Sequence, residues 1–98
     1  MLIDKQKNDK KLTVKVTGRL DSVTSKELEE ALDGSLNGIE DLMFDLSDLD
    51  YISSAGFRIL LATYKIMKKQ GTMKVTGVHD EVRDIFEATG FSEILNVE

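Results

Sequence analysis

From residue 11 to residue 17, apolar and polar side chains alternate without exception: Leu12, Val14 and Val16 on one side, Thr13, Lys15 and Thr17 on the other. A period of two is the pattern of a strand with one face in a core and one face in water. Such a strand needs cover on one side only, and the sequence that follows offers helices. Leu28, Ala31 and Leu32 share a helical face. Phe57, Leu60, Leu61, Tyr64 and Met67 form a longer apolar stripe within residues 54–70. Lys65, Lys68 and Lys69 crowd its C-terminal end, where cations complement the helix dipole. Val82, Ile85 and Phe86 form a third stripe, closed by Gly90. Two further apolar runs, residues 39–46 and 72–78, read as strands, the first as a strand buried on both faces.

The boundaries follow from capping and turn chemistry. Residues 1–7 read as a short edge strand, with Asn8 and Asp9 as the turn into the alternating strand, which Gly18 is expected to end. The spacing Thr24-x-x-Glu27 predicts a capping box, with Val23 and Leu28 as a hydrophobic staple and Gly34 as the stop. Gly71 ends the long helix, Asp80 is expected to cap the third, and Ser92 to start a last turn with Ile94 and Leu95. The predicted order is β-β-α-β-α-β-α. Strands that alternate with helices pair in parallel through right-handed crossovers. The expected fold class is therefore α/β: a mixed sheet of about four strands with helices mainly on one face. A length of 98 residues suits one domain, 1–98. Fourteen side chains should share its core: Leu12, Val14, Val16, Leu28, Leu32, Leu42 and Phe44, then Leu46, Leu60, Leu61, Tyr64, Val75, Ile85 and Phe86.

Composition removes several functions. Asp and Glu number 18 against 13 Lys and Arg, a net charge of −5, which argues against nucleic acid as a ligand. There is no Cys, so disulfides, thiolate metal sites and a cysteine nucleophile are excluded. The single histidine, His79, cannot build a His-rich metal centre, and no cofactor is expected. The longest apolar run is far short of a membrane span, so no membrane insertion is expected. Met1-Leu2-Ile3-Asp4-Lys5 becomes charged at once and lacks a signal-peptide core, which predicts a cytoplasmic protein.

The segment from Asp45 to Phe57 is the unusual one: a strand ends, an acidic loop follows, and Ser53 and Ser54 stand at the start of the long helix. Unpaired backbone N–H groups at a helix N-terminus suit a phosphate, bound or covalently attached. The same serines also suit plain helix capping. A serine hydrolase would need a base, for which His79 is the one imidazole, and the pattern Gly-x-Ser-x-Gly is absent around Ser54. Asp45 at a strand end has no acidic pair after the first strand to bind magnesium, and no Gly-x-x-x-x-Gly-Lys loop exists. His79 reads as a surface loop residue, and Asp48 and Asp50 as a solvated loop.

Taken together, four motifs resemble the STAS domain family, named for sulphate transporters and anti-sigma factor antagonists. They are Gly18-Arg19-Leu20-Asp21, Asp45-Leu46-Ser47, Tyr51-Ile52-Ser53-Ser54-Ala55-Gly56 and Thr89-Gly90-Phe91, in that order over nearly the whole chain. The resemblance implies a regulatory protein and no enzyme. A free-standing member of this length binds an anti-sigma factor, itself a serine kinase, and so releases a sigma factor. The kinase inactivates the antagonist by phosphorylating a serine at the start of the second main helix, and a serine phosphatase reverses this. By motif position the acceptor is Ser54, with Ser53, Gly56 and Asp45 supporting the site. In the resembling fold the loop carrying Arg19, Leu20, Asp21 and Ser22 lies beside the serine and belongs to the partner surface. The well-studied antagonists often carry Asp directly before the serine pair; here that position is Ile52, with Asp50 two residues earlier. Other members are scaffold subunits of transport or signalling complexes without phosphorylation, which is the alternative reading.

Overall fold

The alternating segment folds as β2 (Lys11–Leu20), with Leu12, Val14 and Val16 buried and Thr13, Lys15 and Thr17 half-buried. This structure, a computed structural model, describes residues 1–90 and 95–97. β1 (Leu2–Asn8) pairs with β2 antiparallel across a tight turn in which Asp9 takes φ 57°. Helix α1 (Thr24–Leu32) leads to β3 (Asp41–Asp45), and a short strand, β4 (Leu49–Ile52), precedes α2 (Ser54–Met67). β5 (Thr72–Thr76), α3 (Asp80–Thr89) and β6 (Asn96–Val97) complete the described elements.

The sheet order is β1-β2-β3-β5-β6, and β4 pairs with β2 beyond the end of β3. Every pairing after the first is parallel. From β2 to β3 to β5 to β6 each crossover steps the same way, and right-handed crossovers then place all three helices on one face. The register shows the result. Leu12, Leu42 and Met73 stand in one row and Val14, Phe44 and Val75 in another, all buried. One residue along, Thr13, Met43 and Lys74 form a half-buried row on the opposite face. β3 is therefore covered on one side, not on both as its apolar run suggested.

The four expected strands are present and adjacent, and β4 and β6 are additions. Gly18 does not end β2. It sits within the strand at φ 102°, a value that glycine adopts without a side-chain penalty. There the register steps from Gly18 opposite Leu49 to Arg19 opposite Tyr51, leaving Asp50 as the extra residue of a bulge. The capping box at α1 does not form. Asp21 Oδ1 accepts from the N–H groups of Val23 and Thr24 at 3.0 and 2.9 Å, while the Thr24 hydroxyl donates to the Arg19 carbonyl at 2.7 Å. Val23 is 72% exposed, so there is no staple either. Asp80 is the first residue of α3 rather than its cap, held at φ 50° with its carboxylate 3.0 Å from His79 Nδ1. The last turn expected from Ser92 lies outside the described residues.

Eleven of the fourteen expected core side chains are buried; Leu61, Tyr64 and Ile85 are half-buried. Tyr64 and Ile85 pack against the core from its edge. Leu61 is turned aside because the inward face of α2 runs through Phe57, Leu60, Thr63 and Met67. Buried Thr63 spends its hydroxyl on the Ile59 carbonyl at 2.8 Å. The rings of Phe57 and Phe86 meet edge-on at 4.8 Å and fix α2 against α3.

Candidate functional site

The site is built where β2 outruns β3. With β3 ended at Asp45, the last residues of β2 take β4 as their partner, and Leu20 and Ile52 stand side by side, 0% and 1% exposed. The chain then turns into α2. The Ser53 N–H donates to the Leu20 carbonyl at 2.8 Å, and the Ser53 carbonyl accepts the first helical bond, from Phe57 N–H, at 3.0 Å. Ser53 Oγ accepts from Gly56 N–H at 3.3 Å, which makes it the cap. Ser54, the first residue of the helix, is exposed, and the cap does not use its hydroxyl.

Gly56 is buried at the underside of this turn. A Cβ there would stand 2.8 Å from Leu20 Cγ and 2.9 Å from Ile52 Cγ1. The small residue thus serves contact between the helix start and the two strand ends, and it faces inward. Asp45 holds the neighbouring turn: its Oδ1 accepts from the hydroxyl and the N–H of Ser47 at 2.7 and 3.0 Å. Those two bonds, with the nearby Lys15 charge, hold the Asp45 carboxyl below its ordinary range.

Around the serine pair, the expected loop divides into surface and support. The Arg19 guanidinium stacks on the Tyr51 ring, 4.4 Å from its centroid, on the outer side of the β2–β4 pair. Ser22 is exposed. Leu20 departs from its expected place on a partner surface. Its side chain is fully buried beneath Gly56, and its contribution is the carbonyl that anchors Ser53. Asp21 is held inward by the α1 cap, and the backbone and hydroxyl bonds from Thr24 keep its carboxyl below the ordinary value. Tyr51 was missed as a site residue. Its signal was its place directly before Ile52-Ser53-Ser54, paired with Arg19 once β4 is recognised.

His79 also proves more than a loop residue. Its Nε2 donates to the Ser47 carbonyl at 2.7 Å and its Nδ1 faces the Asp80 carboxylate, so it ties the loop after β5 to the turn after β3. Asp80 first, then the Ser47 carbonyl, raise the imidazole above its ordinary pKa, and the charge of Asp50 adds to this. With both nitrogens so engaged, His79 is not placed as a base for Ser54. Among the described residues, no group of three or more His, Asp or Glu is arranged to hold a metal ion. No helix among them is long and apolar enough to cross a membrane.

The helix start thus presents the exposed Ser54 beside the turn that precedes α1. The chain belongs to the STAS domain family, whose profile matches residues 3–98. It is 32% identical over 97 residues to the anti-sigma-B factor antagonist of Staphylococcus aureus (strain NCTC 8325 / PS 47), covering 97% of this chain and 90% of that protein. It is 27% identical over 96 residues to the anti-sigma-B factor antagonist of Bacillus subtilis (strain 168), covering 97% and 88%. The crystal structure of an anti-sigma factor antagonist from Mycobacterium paratuberculosis superposes with a TM-score of 0.88 at 27% identity, over 98% of this chain and 83% of that one.

Proposed function

We propose that this protein is an anti-sigma factor antagonist acting in the cytoplasm. It binds an anti-sigma factor that is also a serine kinase, and so frees a sigma factor. Phosphorylation of Ser54 switches it off. The observation that carries the reading is the division of work between adjacent serines: Ser53 is consumed by the cap, and Ser54 stands exposed in the first turn of α2. The kinase transfers the γ-phosphoryl group of ATP to Ser54 Oγ, releasing ADP and the hydroxyl proton. A serine phosphatase returns the hydroxyl by hydrolysis. The partner surface comprises Ser54, the Arg19–Tyr51 stack and Ser22.

Phosphate at Ser54 adds about −1.5 to −2 charges. It sits at the positive end of the helix, where an anion gains about 0.3–1 kcal/mol. The fold therefore tolerates it, and the effect falls on the partner through repulsion and bulk. A loss of about 3 kcal/mol weakens binding roughly a hundredfold, enough for a switch.

Incubation with the cognate kinase and ATP, read by intact-mass spectrometry, tests the reading. Ser54→Ala should take up no phosphate and still bind. Ser54→Asp should bind roughly a hundredfold more weakly and melt within a few degrees of the parent. Retained phosphorylation in Ser54→Ala would move the acceptor, with Ser53 the first suspect. One observation favours the second reading, a STAS scaffold subunit of a transport or signalling complex without phosphorylation: the residue before the serine pair is the fully packed Ile52 rather than a carboxylate. Partner binding by a chain that never accepts phosphate would decide for it.

A further inference from the structure

Three large apolar side chains are exposed among the described residues: Leu2, Val23 and, at 48%, Ile66. Ile66 differs from the other two in lining a groove. The groove, about 610 Å³, lies between the C-terminal part of α1 with the loop after it and the C-terminal half of α2. Leu32 of the core and Leu36 and Ile59, packed against it, line the groove together with the exposed Ile66. Gln70 Nε2 donates to the Leu36 and Ile39 carbonyls at 2.7 Å each and so pins the loop to the end of α2.

Charge selects the occupant. Glu29, Glu30 and Asp33 line the groove, and no Lys or Arg does. Three carboxylates beside an apolar trough repel a fatty acid or an acidic surface and attract a cation with apolar neighbours. Two helices form the long walls, so there is no free strand edge for an extended peptide, and the fitting shape is a helix laid in the groove. We propose that this groove docks a cationic amphipathic helix of a partner protein, with apolar residues at i, i+3 and i+4 over Ile59 and Ile66 and Lys or Arg against Glu29, Glu30 and Asp33. Ile66 lies about 18 Å along α2 from Ser54. The groove therefore does not depend on the reading of Ser54, and both surfaces can be engaged together.

A fluorescein-labelled helical peptide of Leu and Lys in amphipathic spacing, titrated against the full chain by anisotropy, tests this. A Leu and Glu peptide of the same spacing is the control. Ile66→Asp and Glu30→Lys should each weaken the Leu/Lys peptide by roughly tenfold or more, and the Leu/Glu peptide should not bind. Asp84→Lys, on the exposed side of α3, makes the same change in net charge as Glu30→Lys and should weaken binding by less than about threefold. Circular-dichroism melts confirm that each variant is folded. Failure of the Leu/Lys peptide to bind, or equal loss in all three variants, overturns the proposal. So does self-association that Ile66→Asp abolishes, which would give the groove to a second copy of the chain.

Discussion

A methyl group at position 56 would press on Leu20 and Ile52, neither of which has free space to swing into. Alanine normally improves a helix by about 1 kcal/mol over glycine, while overpacking a filled site costs about 1–3 kcal/mol. Gly56→Ala should therefore lower stability by up to about 2 kcal/mol in urea titrations; a higher midpoint would show that the helix start has slack. The serine pair was legible as a helix start from capping chemistry, while the choice of Ser54 over Ser53 as acceptor came from the family resemblance. The inward face of Gly56 was not legible, since it depends on two strand ends that sequence spacing does not bring together. Leu20 could have been placed. The alternation of Leu12, Val14 and Val16, continued past Gly18, puts Leu20 inside, but the glycine reads as a stop.

Among the elements, long periodic segments were legible and short ones were not. β4 has four residues, two of them polar or amphipathic, and exists because β2 extends beyond β3 and needs a neighbour. β6 has two residues and carries no period at all. At the start of α1 the spacing pointed to Thr24, but Asp21, three residues earlier, accepts the N–H groups of Val23 and Thr24, and the Thr24 hydroxyl turns back to the Arg19 carbonyl. The end of α1 has no basic residue of its own; Lys5, from β1, donates to the Ala31 carbonyl at 2.7 Å and to Ser35 Oγ at 3.0 Å. A cation at this terminus is worth about 0.3–1 kcal/mol. Lys5→Ala should lower stability by about that amount, and Lys7→Ala, on the same strand without this contact, should change it little. Equal losses in both would assign the effect to net charge.

Over the whole molecule, the order of elements and the one-sided cover were legible because crossover handedness leaves few choices, whereas links between loops were not. The His79 link carries a pH dependence. Its folded-state pKa is raised, so its stabilising contribution is full below the unfolded value of about 6.5 and is lost as pH rises through the folded value. Asp21 and Asp45, both lowered, act in the opposite sense and lose their contribution as pH falls through the acid range. The gap in melting temperature between the parent and His79→Ala should be widest below about pH 6.5 and narrow as pH rises through the folded value; a constant gap would mean that the ring acts by packing alone. The pairing of β2 on both sides has a consequence for exchange with deuterium. β1 lines one side of it, and β3 followed by β4 the other. In a strand paired on both sides, successive amides point alternately to the two neighbours. β1 is an exposed edge that can fray alone, while the β3 side opens only when the sheet comes apart. Protection along residues 11–17 should alternate, with every second amide exchanging at the rate of edge fraying and the others at the rate of global unfolding. Uniform protection would mean that β1 and the central sheet open as one unit. The strand recognised by the alternation of its side chains should then carry a second alternation, written in time.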